Sequence, residues 1–181
     1  VHDGNSAFSS LNGILYDKPR ETLLVCPEGK AGSVTIPDGV TSVAAYSFYD
    51  CRGLTAVTIP GSVSEISRYA FRGCDRLASV SFSEGLTRIG MYAFTACNDL
   101  VSLELPVGLR EIESYAFAGC RDITRVLIPE SVVSLGSGVF AGCTALESAY
   151  FEGDAPSVGT RVFDQADALT VYRRAAAAGW P

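Results

Sequence analysis

Six cysteines are the side chains of this 181-residue sequence best suited to chemistry, and five of them keep one spacing. Cys51, Cys74, Cys97, Cys120 and Cys143 each stand 23 residues from the next. Thiols could ligate a metal or pair as disulfides. Zinc sites collect cysteines two to four residues apart, or add histidines. A gap of 23 does not fit that pattern, and the one histidine, His2, lies at the N-terminus. If successive copies stack as strands about 4.8 Å apart, a disulfide could span two neighbours. The bonds would then have to tilt inside a packed column, and five members cannot all pair. The expected role is that of a small buried hydrophobe. Cys26 falls outside the series; a place in the core of a hairpin and a partly exposed place both fit it.

Other reactive groupings are sparse. A Ser-His-Asp triad needs an interior, oriented imidazole, which His2 does not offer. Glu111 and Glu113 are two apart, so an extended segment would point both the same way, yet solvated charge on a loop is the expectation. No glycine-rich phosphate loop is present. The glycines fall at turns (Gly39, Gly61, Gly85, Gly108) or beside cysteines (Gly73, Gly119, Gly142), where tight backbone is needed. A stripe of Tyr46, Tyr69, Tyr92 and Tyr115 could stack on a sugar or a base. Its strict spacing argues instead for the edge of a core, rings packed and hydroxyls wet.

The elements that place these residues come from a repeat. Val34-Thr35-Ile36-Pro37 returns as Val57-Thr58-Ile59-Pro60, Val80-Ser81-Phe82-Ser83, Leu103-Glu104-Leu105-Pro106 and Val126-Leu127-Ile128-Pro129, at steps of 23 without insertion. A fixed period in this range marks a solenoid, whose units bury their apolar faces only against each other. Alternation at the start of each copy predicts a strand, which proline ends for want of an N–H. Further apolar positions follow at Val40, Val63, Leu86, Leu109 and Val132, and at Val43, Ile66, Ile89, Ile112 and Leu135. An aromatic block comes next, as in Tyr69-Ala70-Phe71, with cysteine three residues after each phenylalanine. Phenylalanine, cysteine and a closing leucine or isoleucine are spaced by threes, which predicts a short α or 3₁₀ turn, for example over Ser67 to Arg72.

Composition sets the limits. Hydrophobic residues make up 48% of the chain, ample for one continuous core. The net charge of −6 opposes binding to phosphate backbones, so no nucleic-acid partner is expected. No apolar run reaches membrane-spanning length. The N-terminus shows no secretory leader, and a start at Val1 is the expected look of a processed or excised piece.

The phrase V-x-I-P-x-x-V-x-x-I-x-x-Y-A-F-x-x-C-x-x-L, clear at Val57 to Leu77 and Leu103 to Ile123, resembles the BspA-like leucine-rich repeat, also called the Treponema pallidum type. It departs from the commoner L-x-x-L-x-L-x-x-N/C-x-L pattern, since Val63 stands where residue 64 would be apolar. The resemblance runs from Val34 to about Tyr172. It implies an α/β solenoid: a right-handed superhelix with a parallel sheet on one face and short helical turns on the other. One domain is expected over 1–181. It divides into an N-terminal half-repeat and β-hairpin cap (1–33), five repeats (34–148), and a degenerate sixth repeat with a C-terminal cap (149–181). Ala7-Phe8 resembles the Ala-Phe of an earlier half-repeat. Gly13 to Tyr16 and Thr22 to Val25 read as the hairpin, and the Trp180 segment resembles the closing cap.

The outward strand positions would cover the open face of the sheet. Ser33, Thr35, Ala56, Thr58, Ser79 and Ser81 make its first half small and flat. Glu104, Arg125, Leu127 and Tyr150 make the second half charged, aliphatic and aromatic, and these four are the candidate partner-binding residues. The resemblance implies a non-enzymatic module for recognition or adhesion, at a bacterial cell surface or outside the cell. Host proteins such as fibronectin or fibrinogen are the implied partners. No cofactor and no membrane insertion are expected. The alternative is a structural spacer in a larger surface protein.

Overall fold

The structure, a computed structural model, describes residue 1 and residues 4–180; His2 lies outside the described residues. The chain opens with three short antiparallel strands, β1 (Phe8–Leu11), β2 (Ile14–Asp17) and β3 (Thr22–Val25). The hairpin read from the sequence is β2–β3, and its Ile14, Tyr16 and Leu23 are fully buried in the core. Phe8 lies in β1, paired with Asp17, and is 43% exposed.

Each copy then supplies one longer and one two-residue strand. These are β4 (Ala31–Thr35) and β5 (Ser42–Val43), β6 (Gly53–Ile59) and β7 (Glu65–Ile66), and β8 (Ser79–Phe82) and β9 (Arg88–Ile89). After them come β10 (Ser102–Glu104) and β11 (Glu111–Ile112), β12 (Arg125–Ile128) and β13 (Ser134–Leu135), and β14 (Ser148–Phe151) and β15 (Ser157–Val158). β16 (Thr170–Arg173) closes the series. Equivalent strands pair in parallel and in register, Val57 with Val80 and Val126 with Ala149, for instance. The two-residue strands extend the hairpin into a continuous sheet, β1-β2-β3-β5-β7-β9-β11-β13-β15. The longer strands form two sheets, β4-β6-β8 and β10-β12-β14-β16. The break falls where Phe82 and Ser83 replace the isoleucine and proline of Ile59-Pro60. There the Phe82 ring stands edge-on to Phe94, with centroids 6.0 Å apart.

The expected helical turn is a correction: no helix occurs among the described residues. Tyr46, Tyr69, Tyr92 and Tyr115 have φ near +60°. So do Asp50 and Ala96, and Gly73, Gly119 and Gly142 take φ near +73° at the matching position four residues later. Left-handed residues at these points break any helix. Backbone bonding alternates accordingly. Phe71 N–H donates to Ala93 O of the next copy at 2.7 Å, whereas Arg72 N–H turns back to Tyr69 O at 3.2 Å. Every second donor therefore joins adjacent rungs, and the block is a chain of tight turns zipped to its neighbours. Spacing by threes is common to a helix and to this run of turns, so the pattern alone did not separate them.

The core is a set of columns. Phe48, Phe71, Phe94, Phe117 and Phe140 are fully buried and stacked, with centroids 4.6 to 5.6 Å apart. Stacking adds about 0.5–1.5 kcal/mol per pair to area burial. At the far end Trp180 packs edge-on against Phe151 at 4.8 Å, as a cap would. The cover is partial. Val43, Ile66, Ile89, Ile112 and Leu135 are shut from solvent, but Val158 in the same column is 52% exposed, and Val171, aligned with Ala149, is 47% exposed.

Candidate partner-binding face

The cysteine column has a role that spacing did not reveal. Cys74, Cys97, Cys120 and Cys143 donate S–H to the carbonyls of Phe48, Phe71, Phe94 and Phe117, one copy back, at 3.1 to 3.3 Å. A thiol is small and apolar enough for the core and still supplies a weak donor, which alanine would not. All six cysteines are free and buried, Cys26 included. Burial pushes the Cys74, Cys97 and Cys143 thiols well up from the ordinary range, so they are inert as nucleophiles and ligands.

Glu111 and Glu113 are not free loop charges. Arg88 on β9 reaches Glu65 and Glu111 at 3.5 Å and contacts Glu113, whose other oxygen accepts the Met91 N–H at 2.7 Å. The extended backbone does point both glutamates one way, as their spacing implied, and that direction is toward one guanidinium. Contact with Glu113 first of all raises the Arg88 pKa. The carboxylates tie three consecutive copies together and leave no free pair for acid–base work. The tyrosine stripe stacks on itself, Tyr46 through Tyr115 at 4.9 to 5.0 Å. Its ring faces are already taken, which removes the geometry a sugar or base would need.

The outward face of β10-β12-β14-β16 is different. Register places Glu104, Leu127, Tyr150 and Tyr172 in one row across four strands, and Ser102, Arg125, Ser148 and Thr170 in the next. Leu127 is 44% exposed and Tyr150 42%, large apolar surface on strands whose inward residues are buried. Glu104, Arg125, Leu127 and Tyr150 all line one shallow depression of about 400 Å³. Leu127 and Tyr150 also wall a second of about 580 Å³ with Val107, Pro129, Tyr172 and Arg174. The four residues chosen from the sequence thus meet on one surface. The flat half, Thr35, Thr58 and Ser81, is exposed on β4, β6 and β8.

The sequence reading missed Tyr172. Its ring stacks on Tyr150 with centroids 4.6 Å and planes 9° apart, which extends the aromatic row onto β16. Tyr150 to Tyr172 is a step of 22, one short of the period, and that slip concealed the pairing. Val107 and Arg174 were also missed, because they enter from turns outside the strand pattern. Arg174 meets Glu130 at 3.7 Å with both side chains exposed, a contact worth about 0–1 kcal/mol. Among the described residues no helix is long and apolar enough to cross a membrane.

Comparison with known proteins agrees with this architecture. The family profile for a BspA type leucine rich repeat region, in six copies, matches residues 28–147 and 64–173. A search of curated protein sequences gave no match. Among solved structures, a leucine rich cell surface protein of Faecalibacterium prausnitzii A2-165 superposes with a TM-score of 0.77 at 30% identity, over 81% of this chain. The chain spans only 40% of that protein's length. The T. pallidum leucine rich repeat protein superposes with a TM-score of 0.76 at 29% identity, over 88% of this chain and 78% of its own. A leucine-rich repeat protein of Bacteroides ovatus shares the fold at 22% identity, with a TM-score of 0.65 over 94% of this chain and 52% of its own. With the profile covering most of its length and its own columns repeating every 23 residues, the chain belongs to the BspA type leucine-rich repeat family.

Proposed function

We propose that this chain is a single, non-catalytic recognition domain that binds a protein through the outward face of β10, β12, β14 and β16. The observation that carries the reading is the row Glu104, Leu127, Tyr150 and Tyr172, flanked by Arg125. Interface hot spots are enriched in tyrosine and arginine and surround themselves with water-excluding contacts. This surface offers two stacked tyrosines, an aliphatic side chain and rim charges of both signs. Repeat proteins in general bind along such extended surfaces. A place at the cell surface or outside the cell is part of the proposal, in keeping with the Faecalibacterium protein's description as a cell surface protein. Adhesion to host extracellular proteins is the specific activity proposed.

The test is binding of the full chain to immobilised fibronectin and fibrinogen at physiological salt. Arg125→Ala with Tyr150→Ala should weaken binding at least 30-fold, the scale of losing about 2 kcal/mol from a hot spot. Thr35→Ala with Thr58→Ala, on the flat half, should leave it within twofold. If the first variant binds as the parent does, or the parent binds neither protein, the spacer reading replaces this one.

A further inference from the structure

Cys26 is the cysteine that the period does not explain. It lies 25 residues before Cys51, not 23, and enters from the hairpin. The structure places it at the head of the cysteine column, buried, with its backbone N–H donating to Ser47 O at 2.6 Å. Cys51 is the first thiol of the column proper, and it lacks the partner that the others have. No phenylalanine carbonyl precedes it, so its S–H faces Cys26 O at 3.7 Å and Pro27 O at 3.6 Å. Those contacts are longer than the 3.1 to 3.3 Å of the four thiols below it. The Cys26 sulfur leans on the same Pro27 oxygen at 3.9 Å. Two thiols therefore crowd one weak acceptor, the Pro27 carbonyl. The turn that follows Cys26, Pro27-Glu28-Gly29, is exposed.

We infer that Cys26 and Cys51 are a redox pair, which an extracellular small-molecule disulfide such as oxidised glutathione converts to an intramolecular disulfide clipping the hairpin to the first repeat. Offset approach removes the objection that applies to the in-register thiols, whose side chains run parallel and have acceptors of their own. The chemistry is ordinary exchange. Cys26, as thiolate, attacks one sulfur of the oxidant and expels a thiolate, giving a mixed disulfide. Cys51 then loses its proton, attacks the Cys26 sulfur and expels the second thiol. Two thiols become one S–S bond, and the two electrons and two protons leave on the two molecules of reduced glutathione. The order of attack has support in the site: hydrogen bonding from Cys51 lowers the Cys26 pKa, and the same contact raises that of Cys51. A brief opening of this exposed turn gives the oxidant entry, as local opening does elsewhere.

The test uses the full reduced chain, held folded with oxidised glutathione and then quenched with a thiol alkylator under denaturing conditions. Titratable thiols should fall from six to four, with two hydrogens lost in mass. Trypsin separates Glu21–Lys30, holding only Cys26, from Ala31–Arg52, holding only Cys51, and these two peptides should be found joined. Cys26→Ser should retain all five remaining thiols under the same treatment, whereas Cys97→Ser should still form the clip. Six thiols surviving in the folded parent would overturn the inference. So would a link mapping to a pair within the in-register column, such as Cys97–Cys120.

Discussion

Phe94→Ala is expected to cost about 3–5 kcal/mol of folding stability, the usual penalty for emptying a buried aromatic site. Phe94 is fully shut from solvent and sits mid-column, stacked on Phe71 at 4.9 Å and Phe117 at 5.2 Å, with Phe82 edge-on. Its backbone N–H is also tied to Ala116 O at 2.7 Å, so the site has little freedom to collapse. Equilibrium urea unfolding followed by circular dichroism measures the loss. A cost under about 1 kcal/mol, which exposed positions show, would mean that the side chain does not point inward.

The second large effect is a loss of stability in alkali. Hydrogen bonding to Cys26 raises the Cys51 pKa, and burial raises those of Cys74, Cys97 and Cys143. Once unfolded, these thiols titrate near 8.5, as any free cysteine does, roughly. Above that pH the unfolded chain has released protons that the folded chain still holds. Stability is thus fully present below about pH 8 and falls as pH rises toward the folded values. Each thiol held protonated removes about 1.4 kcal/mol per pH unit, so Cys74 and Cys143 alone remove about 2–3 kcal/mol between pH 9 and 10, and Cys51 and Cys97 act in the same direction. Cys26 has the opposite sign, its pKa being lowered, but its stabilisation is complete once pH passes about 8.5 and does not offset the loss above it. Against a typical total of about 5–15 kcal/mol, that is a large fraction of the whole. Urea midpoints at pH 7.5, 9 and 10 test it. A midpoint unchanged across that range would show that the thiols are not held protonated in the core.

The sequence made the columns legible because each inward residue recurs at a fixed step and must meet its own kind. Val57 over Val80, Phe71 over Phe94 and Cys74 over Cys97 follow from the period alone. Backbone sign was not legible in the same way. Tyrosine at φ near +60° is rarely adopted, and only pairing with the next copy, as in Tyr69 N–H to Met91 O at 3.0 Å, makes it hold. A turn read from one copy in isolation omits that bond and resembles a helix. Residues outside the period were hidden for the complementary reason. Tyr172 is one residue early, and Cys26 is two residues too far from Cys51. Arg88 was concealed because its partners Glu65, Glu111 and Glu113 lie on neighbouring copies, where a change of residue type within a column looks like noise. On the candidate face, the chemistry of Glu104, Arg125, Leu127 and Tyr150 could be read from their outward positions. The depressions that join them depend on turns such as the one carrying Val107.

The most direct test of the stacked coil is the distance between two equivalent outward positions at its ends. Spin labels placed on cysteines at Thr35 and Tyr150, five copies apart, should give one narrow separation by pulsed electron resonance. At about 4.8 Å per strand that separation is about 24 Å, with a few ångströms added by the label tethers. A broad distribution, or a separation beyond about 40 Å, would contradict one continuous pile of rungs and the face built on it.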